Sequence, residues 1–486
     1  MPKTIFGTTE KSNFILNMSK NTVRKWISGL LCACIIVPLI GSMFITFITG
    51  SDAANSFLGA FLYATGFSCI LFYIVLLLRK DILFKNYPAA FLIVGLAVLA
   101  FASYYRVVLS GASQEHLTTA LLGEMGRYEG LLALFAYFGI FLLATAVRKE
   151  SSVKMVFDVL IGAGILQAIV AILQHIPCDF PSNFRKLSAL VLMKDVHLSS
   201  GLSGSPIFYG SFLTLVSGIA AAGALYEKNT TRALIYGGAA ALFFLTGLFT
   251  SSIVPLIGIG TVLVVSIVIE FTAGRGGTKF ETGKLRSSRK RLAVLLLVLA
   301  VIFGLVFALQ GINLTDQPIE TGEPVMRDKS IAYNDAFYRL FIIGPPSPVN
   351  FDSLWQIAWV RSLDMIKEHP FLGIGPDLMA KLQIEDPMLF TDSIDRSYNE
   401  YIYTAATRGI PSLIVYLALL AVSFVRLGRG IKEFASDREK WFRPALLTAI
   451  LAYSVQAFFS ASVVTVAPFF WLLLGMVQSD LPESKK

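Results

Sequence analysis

The sequence is short of charged residues. Of its 486 residues, 15% are charged and 55% are apolar, whereas a soluble domain carries roughly a quarter of its residues as charges. Uncharged apolar runs of about 18 residues or more recur along the chain instead, which is typical of membrane-spanning helices. The runs are continuous and do not alternate with polar residues, which excludes a transmembrane β-barrel. The sequence therefore predicts an all-α polytopic membrane protein.

Cysteine and recognisable nucleotide or metal motifs are also scarce. The chain has four cysteines, and all but Cys178 lie inside apolar runs, so no disulfide pair is predicted. No P-loop, dinucleotide fingerprint or HExxH is present. No two of the four histidines have the spacing of a metal site. We therefore expect no metal and no other cofactor. The histidines are His116, His175, His197 and His369.

The apolar runs predict about twelve spans, and the basic residues predict their orientation. Lysines and arginines collect in alternate loops, most densely in 272–291 and 426–443, and such loops face the cytoplasm. Both termini are then cytoplasmic. The net charge of +9 is explained by orientation, and we expect no nucleic-acid partner. The predicted spans are 28–49, 57–78, 88–105, 130–147, 155–173, 207–225, 233–250, 253–271, 292–310, 411–427, 444–460 and 463–478.

A large, partly helical external loop separates spans nine and ten. Loops far longer than a connection requires are usually functional or disordered. This one contains Trp355 and Trp359 and has helical periodicity over 353–369, which indicates an ordered lid. Proline and two glycines predict a turn at 370-PFLGIGPD-377, where the lid helix ends. The predicted organisation is a cytoplasmic segment 1–27, spans one to nine within 28–310, the external lid 311–410, spans ten to twelve within 411–478, and a cytoplasmic tail 479–486.

Four arginines are predicted on the external side of the membrane, where they form a candidate anion site. Arg127 precedes the fourth span, Arg361 lies on the lid helix, and two more lie just before span ten. The guanidinium group presents a planar fork to phosphate oxygens and keeps its charge, so a cluster of them suits a diphosphate. The alternative is a belt of snorkelling interfacial residues. The two remaining arginines are Arg396 and Arg408.

Two classes of function are compatible with this organisation. A transporter needs charged or broken helices near the middle of the membrane, and the predicted spans hold few such residues. An enzyme acting on a lipid-linked diphosphate needs an external lid, a basic clamp and an apolar groove, which the sequence provides. The enzyme is therefore favoured, and a lipid-linked oligosaccharide transporter is the alternative.

The order of these features resembles the O-antigen ligase and O-antigen polymerase superfamily, which are bacterial membrane glycosyltransferases. The resemblance rests on the topology and on five segments. These are 126-GRYEGL-131, 205-SPIFYGSFL-213, 249-FTSS-252, 359-WVRSLDMIKEHPFLGIGPD-377 and 395-DRSYNEYIYTAATRGIPSLIVYL-417.

The resemblance implies a location, a donor and a mechanism. It implies a protein of the plasma (inner) membrane that transfers or polymerises a saccharide from an undecaprenyl-diphosphate donor. The acceptor is a glycan or glycolipid, and the surrounding membrane lipid is a further partner. The transfer is inverting and metal-free, arginines hold the diphosphate, and a histidine before the late-motif asparagine is the base.

This chain has Tyr398-Asn399 where relatives usually have His-Asn. Because a free tyrosine has a pKa near 10, Tyr398 would act as base only with help from neighbouring arginines or from close positioning. Glu400 and His369 are alternative bases. A non-catalytic relative that binds a lipid-linked saccharide is the remaining interpretation.

Overall fold

The computed structural model is a bundle of α-helices, with no strand among the residues that it describes. The predicted lid segments 313–350 and 382–395, and His197, lie outside those residues. The described residues are 19–49, 51–81, 88–124, 126–175, 199–250, 252–273, 279–312, 351–381, 396–436 and 440–479.

Fifteen α-helices and one short 3₁₀ helix (Ala457–Phe459) make up this part of the chain. In chain order the α-helices are α1 (Lys20–Thr49), α2 (Ser51–Leu78), α3 (Pro88–Leu109), α4 (Gln114–Leu122), α5 (Leu131–Thr145), α6 (Glu150–His175), α7 (Pro206–Tyr226), α8 (Thr230–Phe249), α9 (Ile253–Ala273), α10 (Lys279–Ile312), α11 (Phe351–Glu368), α12 (Glu400–Arg408), α13 (Ile410–Ser436), α14 (Phe442–Gln456) and α15 (Ala467–Val477).

Each of the twelve predicted spans coincides with a helix. Among the described residues, nine helices are long and apolar enough to cross a membrane, which confirms the polytopic all-α class. Two predicted spans correspond to the shorter helices α5 and α15, and one lies within α10. The count of twelve therefore stays a prediction.

The centre of the bundle is α7, which is buried along almost its whole length and packs against α8, α9 and α14. Its sequence is apolar on every side and rich in Gly, Ala and Ser. A helix with this pattern can be approached closely from all directions, as in membrane bundles. Gly218 is one such position, because a Cβ there would press on the backbone of Ala449 in α14.

Two short helices, α5 and α15, begin below the ends of their longer neighbours at one face of the bundle. We call this face the site face and the recess above the two short helices the depression. Gly66 of α2 packs directly against Ala136 of α5. Gly66 lies about 22 Å along α2 from its start at Ser51, and α5 begins about 7 Å before Ala136, at 1.5 Å per residue. The two helices run in the same direction, so the start of α5 lies about 15 Å below the start of α2. The loops before α5 and α15 form the floor of the depression.

Candidate functional site

The site is built on a helical hairpin that dips into the bundle from the site face. The helix α12 rises toward that face, turns at Gly409 and continues as α13 back into the bundle. The ring of Tyr401 stacks on that of Tyr416 with centroids 6.0 Å apart, as expected for antiparallel neighbours. The lower end of α12 thus lies well inside the helix bundle.

Glu400, the first residue of α12, is buried and joins α12 to the two spans α13 and α14. Its Oε1 accepts a hydrogen bond from the Tyr416 hydroxyl at 2.8 Å, and its Oε2 accepts one from the Tyr453 hydroxyl at 3.0 Å. Burial raises the pKa of Glu400, and the two tyrosine hydrogen bonds act in the opposite direction. Both oxygens of this candidate base are therefore engaged by protein donors.

Asn399 is the N-cap of α12. Its backbone is extended, and its side-chain oxygen accepts from the N–H groups of Tyr401 and Ile402 at 3.0 and 3.1 Å. These N–H groups have no intrahelical partner at a helix start. Tyr398, one residue earlier, has a left-handed backbone with φ of 47°. Its half-buried ring packs on a small cluster that includes Met365 of α11.

The predicted turn 370-PFLGIGPD-377, which we call the lid turn, docks on the upper end of α12. The N–H of Ile374 donates to the Ala406 carbonyl at 2.8 Å, and that of Gly375 donates to the Thr407 carbonyl at 3.0 Å. These carbonyls are among the last of α12 and need partners from outside the helix. Gly409 has φ of 88°, and a Cβ there would clash with the carbonyl of Phe371. A left-handed backbone at such close approach requires glycine.

Asp377, at the end of this turn, connects the lid to the loop before α5. Its Oδ1 accepts from the Tyr403 hydroxyl at 2.7 Å and lies 3.9 Å from Nε of Arg127. Its Oδ2 accepts from the backbone N–H of Glu124 at 2.7 Å. The side chain is 1% exposed. A buried carboxylate requires such compensation, since an unpaired charge in this environment is very costly.

Glu129 is a second buried carboxyl at the floor of the depression. Its Oε1 accepts from the hydroxyl groups of Tyr137 at 2.9 Å and of Ser462 at 3.1 Å. Burial raises its pKa to about 8, with Arg408 acting to lower it and Asp377 to raise it. This carboxyl therefore titrates near neutral pH.

Two of the four candidate arginines, Arg127 and Arg408, interact electrostatically with these carboxyl groups. Arg127 is buried beside Asp377. Arg408 donates to the Thr404 hydroxyl at 2.8 Å and acts electrostatically on both Glu129 and Glu400.

The other two arginines lie on neighbouring elements. Arg396 is buried with its guanidinium carbon 4.8 Å from the ring centre of Phe208, at the site-face end of α7. Such an arrangement is a cation–π contact. Arg361 is half-buried on α11, the lid helix.

His369, the other candidate base, lies beside an arginine that the sequence did not single out. Its Nδ1 is 3.5 Å from Nη1 of Arg106, near the end of α3. Because arginine only donates, Nδ1 of His369 is the accepting nitrogen. The basic nitrogen of this imidazole is therefore directed at the protein.

Sequence reasoning did not assign Asp377 or the tyrosines that surround the carboxylates. The signal for Asp377 was present as a lone acidic residue after a Gly-x-Gly-Pro turn, which we interpreted only as a turn. The tyrosines are single hydroxyl groups within or beside apolar runs, and their pairing needs the fold. They are Tyr137, Tyr403, Tyr416 and Tyr453.

A small cavity of about 40 Å³ lies behind the loop that carries Arg127. Val464 belongs to its wall and donates its backbone N–H to the carbonyl of Arg127 at 3.1 Å. Apolar side chains make up most of the lining, with one amide and a few hydroxyl groups. A space of this size can hold a few water molecules. Among the described residues, no group of three or more His, Cys, Asp and Glu side chains is placed to hold a metal ion.

Comparison with known proteins bears on the same part of the chain. No curated protein matches the sequence. The family model described as O-Antigen ligase matches residues 238–417, from within α8 to the first turns of α13. The match includes the lid turn, α12 and the start of the hairpin, whereas Arg127 and Glu129 lie outside it. Residues 238–417 of this multi-pass membrane protein therefore match the O-antigen ligase family, which supports the resemblance to the O-antigen ligase superfamily.

Proposed function

We propose that the protein is a glycosyltransferase that moves a saccharide from undecaprenyl diphosphate onto a glycan or glycolipid acceptor at the site face. The observation that carries the proposal is the family match across the lid turn and α12, the segments that line the depression. In this proposal the site face is external, both termini are cytoplasmic, and the membrane is the plasma (inner) membrane. The lid is the external loop 311–410.

The depth of the site supports a lipid-borne donor. The floor of the depression lies about 15 Å below the start of α2, by the helix rise, and so within the outer half of a hydrocarbon layer of roughly 30 Å. A diphosphate attached to a membrane-embedded chain reaches such a depth, whereas a free sugar nucleotide would have to leave water.

The charges at the floor support diphosphate binding. Arg127 lies beside the buried Asp377, and Arg408 acts electrostatically on the buried Glu129 and Glu400. Arg396 and Arg361 lie on adjacent elements. We assign the four arginines to the donor diphosphate, where fixed positive charge would also stabilise the departing undecaprenyl diphosphate. The acceptor hydroxyl forms the new bond to the anomeric carbon while the bond from that carbon to the diphosphate oxygen breaks.

The proton of the acceptor hydroxyl needs a destination, and we assign Tyr398 to that side of the site. Tyr398 is half-buried, so part of its side chain remains accessible. Asn399 caps α12 and Glu400 accepts from two tyrosines, so in this proposal both support the hairpin. Positioning then supplies much of the rate acceleration. Tyr398 takes the proton of the acceptor hydroxyl as a tyrosinate, or as a neutral phenol relays it by releasing its own proton to water.

The experiment is a time course of undecaprenyl diphosphate release by purified protein from a lipid-linked saccharide, with candidate glycan and glycolipid acceptors. We expect acceptor-dependent release by wild type and a collapse in Tyr398→Phe. Arg361→Ala should weaken the donor's apparent affinity far more than Lys290→Ala, because Lys290 is exposed near the start of α10 on the opposite face. Equal effects of these two substitutions would discard the arginine clamp.

A second candidate is a non-catalytic protein that binds lipid-linked saccharides. The tyrosine at position 398 favours it, because relatives usually carry histidine there and a neutral tyrosine is a weak base at pH 7. Saturable donor binding without release of undecaprenyl diphosphate, with every acceptor, would support this function over glycosyl transfer.

A further inference from the structure

The loop before α5, residues 123–130, holds an unusual backbone that Asp377 supports. We call it the arginine loop. Gly123 and Gly126 have φ of 88° and 84°, and Tyr128 has φ of 54° although it is not a glycine. A non-glycine residue in this region is strained and persists only where its surroundings determine it. Irregular backbone at membrane depth also requires partners within the protein.

Asp377 supplies a large part of that support from a different segment of the chain. Its Oδ2 accepts from the N–H of Glu124 at 2.7 Å and from the N–H of Glu129 at 3.3 Å. These two donors lie on either side of Arg127, so one carboxylate oxygen fixes the backbone that carries the guanidinium. The Arg127 carbonyl is fixed separately by the N–H of Val464.

The other oxygen of Asp377 faces the guanidinium itself. Oδ1 lies 3.9 Å from Nε of Arg127 and accepts from the Tyr403 hydroxyl at 2.7 Å. A guanidinium is planar, so drawing its Nε edge toward one carboxylate also sets the direction of the opposite edge. Tyr403 in turn holds the carboxylate, and it belongs to α12, where the lid turn docks.

We infer that Asp377 is a positioning residue that aims Arg127 at the diphosphate of the donor and makes this aim depend on docking of the lid turn. The inference rests on the proposed function and deepens it. The carboxylate belongs to the lid turn 370–377, and the arginine belongs to a loop more than 240 positions earlier in the chain. Undocking the lid turn would withdraw the negative charge that orients Arg127 and remove two backbone hydrogen bonds from the arginine loop.

The substitution Asp377→Asn separates the two contributions of this side chain. Asparagine has the same shape and also tolerates a left-handed backbone, which Asp377 adopts with φ of 53°. Its oxygen can still accept from the Glu124 and Glu129 N–H groups, but its charge is gone and its amide donates. Asp377→Ala removes both contributions.

We would measure donor kinetics together with amide hydrogen exchange across residues 123–130. For Asp377→Asn we expect exchange protection close to wild type, a rise of about tenfold or more in the KM for the donor, and a kcat within about threefold. That pattern indicates a loss of binding shared by ground and transition states. For Asp377→Ala we expect loss of both protection and affinity. Asp158→Asn is the matched control, since Asp158 also accepts from an arginine and a tyrosine, and it should leave KM unchanged.

A double variant tests whether Asp377 acts through Arg127. In an Arg127→Ala background, Asp377→Asn should raise KM no further, because residues in one interaction network are not additive. An unchanged KM in Asp377→Asn, or an equal additional rise in the double variant, would overturn the inference. Failure of the proposed function has a separate signature, because wild type itself would then neither bind the donor saturably nor release undecaprenyl diphosphate.

Discussion

Two groups of the same three residue types lie at opposite faces of this bundle. In the opposite-face triad, Asp158 of α6 accepts from Arg232 and Tyr236 of α8, and the Asp158 and Arg232 side chains are 46% and 40% exposed. In the site-face triad, Asp377 faces Arg127 and Tyr403, and the two charged side chains are 1% and 9% exposed. The two triads share their residue types, whereas the exposure of their side chains to solvent differs.

The difference indicates what each triad contributes. An exposed ion pair contributes ~0–1 kcal/mol and serves mainly to join two helices. A buried pair must overcome a large desolvation cost, so it is weak evidence for stability and often reflects a requirement for specificity. The site-face triad also joins the arginine loop to two segments more than 240 positions later in the chain and lies near further ionisable groups. These features support the proposal that the function lies at the site face.

The largest expected difference between the triads is in the arginines. Arg127→Ala should lower kcat/KM for the donor by about 100-fold or more, or ~2.7 kcal/mol, because it removes a proposed diphosphate ligand. It also leaves Asp377 buried without its cation, which should cost ~3–5 kcal/mol of folding stability. Arg232→Ala should change kcat/KM by less than about twofold. Steady-state release of undecaprenyl diphosphate provides the measurement. Similar losses in both variants would show that the triads do not differ in function.

A second test sharpens the comparison through backbone packing. The site-face triad depends on the docked turn at Gly409, where a Cβ clashes with the Phe371 carbonyl, so Gly409→Ala should destabilise the protein by ~1–3 kcal/mol. Gly238 lies on the same helix as Arg232 and has open space around it. Gly238→Ala should be neutral or stabilising by up to ~1 kcal/mol. Thermal unfolding in detergent measures both, and a stable Gly409→Ala would argue against tight docking.

The tyrosines of the two triads should differ by a smaller amount. Tyr403→Phe leaves a buried Asp377 oxygen with one donor fewer, which costs ~1–3 kcal/mol. Tyr236→Phe keeps the ring contact with Trp441, and Asp158 is exposed enough to find another partner, so the cost should stay below ~1 kcal/mol. The comparison uses unfolding midpoints at pH 7. A larger loss in Tyr236→Phe would reverse our ranking of the two sites.

A further test concerns pH and Glu129, which has no counterpart in the opposite-face triad. Its pKa is raised from 4.5 to about 8 in the folded protein, so folding favours the protonated form. The stabilisation is present below about pH 4.5 and is lost as pH rises toward about 8. Glu129→Gln should flatten the stability profile between these values, whereas Glu368→Gln, at an exposed position, should not. An unchanged slope in Glu129→Gln would contradict the raised pKa.

The helices were predictable from the sequence, because long apolar runs have few alternatives in a membrane. The lengths of the helices were less predictable from the sequence. The predicted span 463–478 becomes the 11-residue helix α15 preceded by irregular backbone, since Ser462 and Val464 bond to the arginine loop. Such contacts between distant segments have no local signal.

The candidate site was predictable in part for a similar reason. Arg127, Arg361, Arg396 and Arg408 were identified by residue type and motif. The structure places Arg127 beside Asp377, and Arg408 acts electrostatically on Glu129 and Glu400. The carboxylates themselves were not paired with their tyrosines, because hydrogen bonds such as that from Tyr453 to Glu400 join positions dozens of residues apart. The capping role of Asn399 had a local signal, since asparagine is a preferred N-cap.

The most direct test of the account is photo-crosslinking with a lipid-linked saccharide that carries a photoreactive group near its diphosphate. The labelled peptides would be located by mass spectrometry, with and without excess unlabelled donor. We predict labels within residues 123–130 and 396–408 that the unlabelled donor suppresses. Labels around Asp158 and Arg232 at the opposite face, or labels that excess donor does not suppress, would contradict a donor site at the site-face triad.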